Sequence, residues 1–243
     1  MLLLSEIPNL LKKNYSLISR GKIDEVDRET RRAAKALYEE YVKKLDERSL
    51  MRIIDRVTGG LGYYKGDFNI MRMGYVGSLI AWPEAVKDNA VILEIGTGLG
   101  RTCYVLVEWT KARVILSVDI SLTMLSIALY RNPVRDYQNA LWDRRVKVCF
   151  GDACEVVKVV PFKFNHIVHD GGPNPGKNPE LYSYEFLSSL RRLLAENGTL
   201  SIFAGRNPEW QNRLYYRLRK LGFKVEAVKF PYSRAIVFHC SLS

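Results

Sequence analysis

From Ala90 onward the sequence alternates between two kinds of apolar text. The runs "AVILEIG", "RVILSVDI", "RVKVCFGD", "HIVHD" and "GTLSIFAG" are short and strand-like, whereas "TCYVLVEWT", "LTMLSIALYRN" and "YSYEFLSSLRRLLAEN" space their apolar residues as helices do. Strands that alternate with helices are joined by crossovers, which makes the sheet mostly parallel and places helices on both of its faces. The last runs, "EWQNRLYYRLRKLGF", "KVEAVKF" and "RAIVFHCSL", read as helix, strand and strand, so the sheet should end with an antiparallel C-terminal strand. The expected fold class is α/β, a doubly wound sheet.

Ahead of this lies different text. Residues 1–60 read as a helical N-terminal extension, clearest from Asp24 to Leu45, where Val26, Ala34, Leu37, Tyr38, Tyr41 and Leu45 recur at helical spacing and charged residues fill the other face. A second helix is expected from about Glu47 to Val57, stopped by Gly59 and Gly60. Residues 61–89 form an entry or lid segment; its first part, "LGYYKGDFNIMRMGYVGSLIAWP", is aromatic and glycine-punctuated and is expected to form short strands and turns. Tyr63, Tyr64 and Tyr75 lie there, either as packing residues or as rings that stack on a base or cover a ligand. The third unit is 90–243.

Composition narrows the function. The net charge is +11, and residues 161–243 supply +6 of it from 12 basic and 6 acidic residues. Such a balance suits a polyanionic partner such as RNA, because cations that displace counterions from phosphates gain binding free energy; the competing reading is a solvated, salt-bridged surface. The four cysteines form no CxxC pair, and His166 and His169, three apart on a strand, point to opposite faces, so neither a metal nor a disulfide framework is expected. No apolar run approaches the ~20 residues needed to cross a bilayer, and the protein is expected to be cytoplasmic, without a membrane partner.

The chemistry concentrates at strand ends. In "ILEIGTGLGRT" Gly96, Gly98 and Gly100 follow a strand and precede a helix, where absent side chains let a ligand approach the backbone. A dinucleotide fingerprint spaces its last two glycines three apart; Gly98 and Gly100 are two apart, and Glu94 sits just before them. A glutamate there repels a pyrophosphate and favours a cationic ligand carrying an amino group and a sulfonium. This stretch resembles the first motif of the class I S-adenosylmethionine-dependent methyltransferases, an acid followed by GxGxG, and the resemblance runs over roughly 91–243.

That resemblance implies a Rossmann-like domain, S-adenosyl-L-methionine as cofactor, and a set of binding residues. Glu94, Gly96, Thr97, Gly98 and Gly100 would line the methionine end, Asp119 would accept the ribose hydroxyls, and Asp152 with Ala153 would meet the adenine. Within the superfamily the text "HDGGPNPGKNPELYSYEFLSSLRRLL", with "LYRNP" and "AGRNP", resembles a group of uncharacterised archaeal predicted methyltransferases. Gly171 and Gly172 stand where those carry two prolines, so the Asp-Pro-Pro-aromatic clamp for planar amines is missing. Spermidine synthases share the layout more distantly, but they need several carboxylates to hold a polyamine, and after Asp170 the next acid is Glu180. The "DGGPN" run also resembles the DGAPN of RNA 2′-O-methyltransferases, which need a lysine base; here Arg206 stands nearby, and arginine stays protonated.

Asp170, at the end of a central strand beside the glycine loop, is the expected catalytic residue, orienting the acceptor or taking its proton; the alternative is an Asx-type turn in which it caps its own backbone. Arg213, Arg217 and Lys220 share a helix face that reads either as a phosphate-facing stripe or as the wet side of a packed helix. The sequence thus predicts a methyltransferase with RNA as acceptor. The alternatives are an aminopropyltransferase and a non-catalytic protein that binds S-adenosylmethionine and RNA.

Overall fold

A computed structural model describes residues 6–57, 70–172, 175–231 and 233–242. Its centre is a seven-stranded sheet: β1 (Val91–Ile95), β2 (Val114–Asp119), β3 (Val146–Phe150), β4 (Phe164–His169), β5 (Leu194–Phe203), β6 (Phe223–Lys229) and β7 (Ile236–Leu242), in the order β3-β2-β1-β4-β5-β7-β6. β1 to β5 run parallel, and β7 pairs antiparallel with both β5 and β6. The central strands are apolar on both faces because helices cover both; Ile92, Leu93, Ile115, Leu116, Ile167 and Val168 are all fully buried.

Ten α-helices occur among the described residues: α1 (Ile7–Ile18), α2 (Ile23–Glu40), α3 (Glu47–Val57), α4 (Ile70–Ala81), α5 (Arg101–Trp109), α6 (Leu122–Tyr130), α7 (Arg135–Leu141), α8 (Ala153–Val159), α9 (Tyr184–Leu193) and α10 (Pro208–Lys220). None is long and apolar enough to cross a membrane. The amphipathic α2 lays Val26, Ala33 and Ala34 against the α/β core, with the ion pair Arg31–Asp27 largely buried beside β3, while its outer face carries the ion pair Lys35–Glu39 at i,i+4 spacing.

Three readings of the sequence need correction. Residues 70–81 of the entry segment form helix α4, not short strands and turns. Gly77, read as punctuation, is a packing residue: a Cβ there would meet Val105 Cγ2 at 2.8 Å and Arg101 Cγ at 3.2 Å, so its absence lets α4 close on α5. The last carbonyls of α4 are taken by side chains from the sheet. His239 Nε2 bonds Leu79 O at 2.7 Å, Ser201 Oγ donates to Ile80 O at 2.5 Å, and His166 Nε2 bonds Ala81 O at 2.9 Å. Tyr63 and Tyr64 lie outside the described residues, as does the side chain of Tyr75.

The second correction is that α9 stops at Leu193, because Leu194 already pairs with Phe164 at the start of β4; the strand then kinks at Asn197 (φ 57) before resuming. Third, α7 fills a stretch for which no element was expected. Elsewhere the outcome matches. The helix expected from Glu47 to Val57 is α3, and His166 and His169 do face opposite sides, His169 bonding Leu181 O at 2.8 Å.

Candidate active site

The crossovers after β1 and β4 leave in opposite directions, since β2 and β3 lie on one side of β1 and β4 and β5 on the other. A crevice therefore opens at the carboxyl ends of these strands, where open α/β sheets place their ligands. Glu94, Asp119, Asp152 and Asp170 all stand at that end of the sheet.

The glycine loop is knit to its surroundings by backbone bonds. Gly96 N donates to Val118 O at 2.9 Å and Asp170 N to Ile95 O at 3.0 Å. Gly96 (φ 91) rests directly on the next loop, because a Cβ there would lie 2.7 Å from Gly171 Cα and 2.8 Å from Asp170 O. Gly98 (φ 50) differs: nothing lies within 4 Å of its Cβ position, so it faces open space. Gly100 caps α5 at its N-terminus.

Asp119 closes β2 and is bound through both oxygens, Oδ2 accepting from Gly98 N at 3.0 Å and Oδ1 from Ser121 N at 2.8 Å. Burial raises its pKa and these backbone N–H groups oppose the rise. A carboxylate offers about four acceptor positions, so both oxygens can still accept from a vicinal diol. Ile120, next in the chain, is 63% exposed, an apolar side chain held in solvent beside this acid.

Asp152 begins α8 as its N-cap, Oδ1 accepting from Cys154 N at 2.8 Å, and Gly151 N donates to Asp119 O at 3.0 Å. The turn of Gly151, Asp152 and Ala153 thus sits beside Asp119. Glu94 lies one layer deeper. It is fully buried and accepts hydrogen bonds from the hydroxyls of Thr102 and Ser117, and Ser117 Oγ is 2.7 Å from Thr97 Oγ1. Burial pushes its pKa up to about 7 against those two hydroxyls, with Asp170 and Asp119 adding to the rise.

Asp170 is held by a partner that sequence reasoning missed. Arg101 Nη2, on the first residue of α5, donates to Asp170 Oδ2 at 3.2 Å, and the side chains are only 9% and 13% exposed. Burial raises the Asp170 pKa and Arg101 pulls it down. Tyr182 Oη donates to Gly172 O at 2.9 Å and fixes the loop that follows. Pro173 and Asn174, the middle of the expected wall around Asp170, lie outside the described residues. Two signals were present in the text: an arginine directly after GxGxG, and an isoleucine directly after a strand-end acid.

The arrangement gathers the fully buried Glu94 and the partly buried Asp119 and Asp170 at one end of the sheet, with Arg101 among them. An excess of negative charge there favours a cationic ligand.

Residues 128–236 match the model of a family described as S-adenosyl-L-methionine-dependent methyltransferase, the class that the sequence resembles. The description of that family names S-adenosyl-L-methionine, the cofactor that the sequence reading expects. The chain is 28% identical over 147 residues to an uncharacterized protein of Methanocaldococcus jannaschii, covering 57% of this chain and 48% of that one, so it spans about half the relative's length. Among solved structures it is similar to a spermidine synthase in complex with the transition-state analogue AdoDATO (TM-score 0.60, 19% identity, 70% of this chain and 61% of that chain). It is also similar to a precorrin-6y C5,15-methyltransferase from Geobacter metallireducens (TM-score 0.53, 15% identity, 70% and 88%). At these identities the two structures establish a shared fold.

Proposed function

We propose that the protein transfers a methyl group from S-adenosylmethionine to an acceptor held beside Asp170, and that the acceptor is RNA. The observation that carries the reading is the convergence, at one crevice, of an open glycine turn, a doubly bound strand-end acid and an acid-capped helix turn. These suit the methionine end, the ribose and the adenine in turn. Gly98 leaves room for the amino-acid chain, and Glu94, beneath the loop, supplies negative potential for its ammonium group. Asp119 takes the ribose hydroxyls, Ile120 covers the flat base, and the second oxygen of Asp152 accepts the exocyclic amine while the Ala153 backbone meets the ring.

Transfer is an in-line displacement. When bound, S-adenosylmethionine would supply an activated methyl group to the acceptor's lone pair and would leave as a neutral thioether. The cofactor supplies the reactive methyl; the protein supplies alignment and the fate of the acceptor's proton. Asp170 accepts a hydrogen bond from the acceptor and takes that proton as the new bond forms, and Arg101 opposes the rise in its pKa that burial causes.

Arg101 also bears on the choice between methyl and aminopropyl transfer. A diamine acceptor needs a net anionic cradle, yet the acid placed to grip it is already paired with a guanidinium, and Glu180 is exposed. RNA as acceptor rests on the net charge of +11 and on the face of α10, where Arg213 lies over Trp210 and Lys220 over Tyr184. Arg217 is engaged inward, donating to Tyr182 O at 2.6 Å.

Calorimetry with S-adenosylmethionine against its decarboxylated form tests the cofactor, and labelled methyl transfer to total RNA, protein and metabolite fractions tests the acceptor. Tighter binding of the decarboxylated form would favour aminopropyl transfer. Label confined to protein or metabolites would remove RNA, and binding without any transfer would favour a non-catalytic role.

A further inference from the structure

β3 is an edge strand, and its outward N–H groups should lack strand partners. They are instead taken one after another by side chains of the N-terminal helices. Val148 N donates to Asp27 Oδ1 at 2.8 Å, Phe150 N to Thr30 Oγ1 at 3.0 Å, and Asp152 N to Tyr15 Oη at 3.0 Å. Asn14 Nδ2 returns a bond to Phe150 O at 2.9 Å. The donors are residues 148, 150 and 152, the period-2 register of one strand edge, so α1 and α2 substitute for an eighth strand. The third bond lies beyond the end of β3, in the turn assigned above to adenine.

We infer that Tyr15 is a positioning residue for the adenine end of the cofactor pocket, and that the N-terminal helices are a structural part of that pocket. The inference rests on the cofactor assignment proposed above. The turn is clamped from both sides: Gly151 N is held by Asp119 O at 3.0 Å, Asp152 N by Tyr15, and a Cβ on Gly151 would lie 3.3 Å from Tyr15 Cε1, so the phenol ring lies along the turn. Burial raises the Tyr15 pKa against the hydrogen bond from the Asp152 amide, which keeps the phenol neutral and its oxygen an acceptor with a proton. Without that oxygen the Asp152 amide has no fixed partner, and the carboxylate that takes the adenine amine loses its anchor. The energetic boundary of the cofactor domain therefore does not fall at residue 60; residues 14–30 belong with 90–243.

The test uses the full chain with Tyr15→Phe and, as a control on the same ladder, Thr30→Val. Affinities for S-adenosylmethionine and for 5′-methylthioadenosine are measured by calorimetry, and melting midpoints without ligand. Tyr15→Phe is expected to weaken both ligands by the same factor, about 5- to 10-fold, because the lesion is at the adenine end they share. Thr30→Val should lower the melting midpoint and leave both affinities near wild type. Wild-type affinity in Tyr15→Phe, or equal weakening in Thr30→Val, would overturn the positioning role. A wild-type chain that binds neither ligand would instead overturn the cofactor assignment on which the role rests.

Discussion

Replacing Arg101 with leucine should destabilise the protein in a way that depends on pH, and the pair with Asp170 sets both the size and the sign. The charges are 3.2 Å apart and mostly buried, so at an effective dielectric of ~20 their attraction is about 5 kcal/mol. Much of that offsets the desolvation of both groups. The penalty for Arg101→Leu is the cost of stranding a buried carboxylate, about 3–5 kcal/mol if Asp170 stays ionised. It has an escape: the carboxyl can bind a proton, and burial already raises its pKa even with Arg101 present.

Without Arg101 the folded-state pKa of Asp170 rises further above its unfolded value. Between those two values the folded state binds more protons than the unfolded one, so stability falls as pH rises through the window and is lowest above the folded pKa. The assay is thermal unfolding of wild type, Arg101→Leu, Asp170→Asn and the double variant at pH 5 and pH 8. For a chain of this size ~3 kcal/mol corresponds to roughly 6–12 °C in Tm. Arg101→Leu should lose about that much at pH 8 and clearly less at pH 5. Adding Asp170→Asn to it should recover stability at pH 8, with a coupling of about 2 kcal/mol or more. The same loss at both pH values, or additive single variants, would refute the reasoning.

Three further outcomes follow from the site. Gly98→Ala introduces a Cβ at φ 50 into open space; it should cost about 1–2 kcal/mol of stability from the backbone alone and weaken S-adenosylmethionine binding in calorimetry by more than that strain explains. Gly77→Ala drives a methyl group against Val105 and Arg101, so overpacking should cost about 1–3 kcal/mol, and methyl-transfer assays should show turnover falling as Asp170 loses its partner's geometry. In Glu94→Gln the pH dependence changes. Glu94 is raised from 4.5 to about 7, so in wild type stability falls by roughly 3 kcal/mol as pH rises from ~4.5 to ~7, and denaturant titrations at pH 5 and pH 8 should show that slope missing from the variant.

The parts of this molecule legible in its sequence are those written locally. The apolar runs of β1, β2, β3 and β4 are short and bounded, so the residues just past them, Gly96, Asp119, Asp152 and Asp170, could be placed at one end of a parallel sheet before any geometry was known. What stayed hidden depends on partners distant in sequence. Arg101 and Asp170 are 69 residues apart, and Tyr15 and Asp152 are 137 apart; no period or spacing relates them. Helix α4 was missed for a related reason. Its glycines read as breaks, yet Gly77 is small because α5 approaches it, and the carbonyls that end the helix are satisfied by His166, Ser201 and His239 from three strands. Each hidden feature acts on a visible one. Tyr15 holds the turn of Asp152, and Gly77 lets α4 press on Arg101, which holds Asp170. The motif residues mark where a ligand would lie; the buried partners decide where their oxygens point, and so a chain with the same motifs but other partners at 15, 77 and 101 need not share this chemistry.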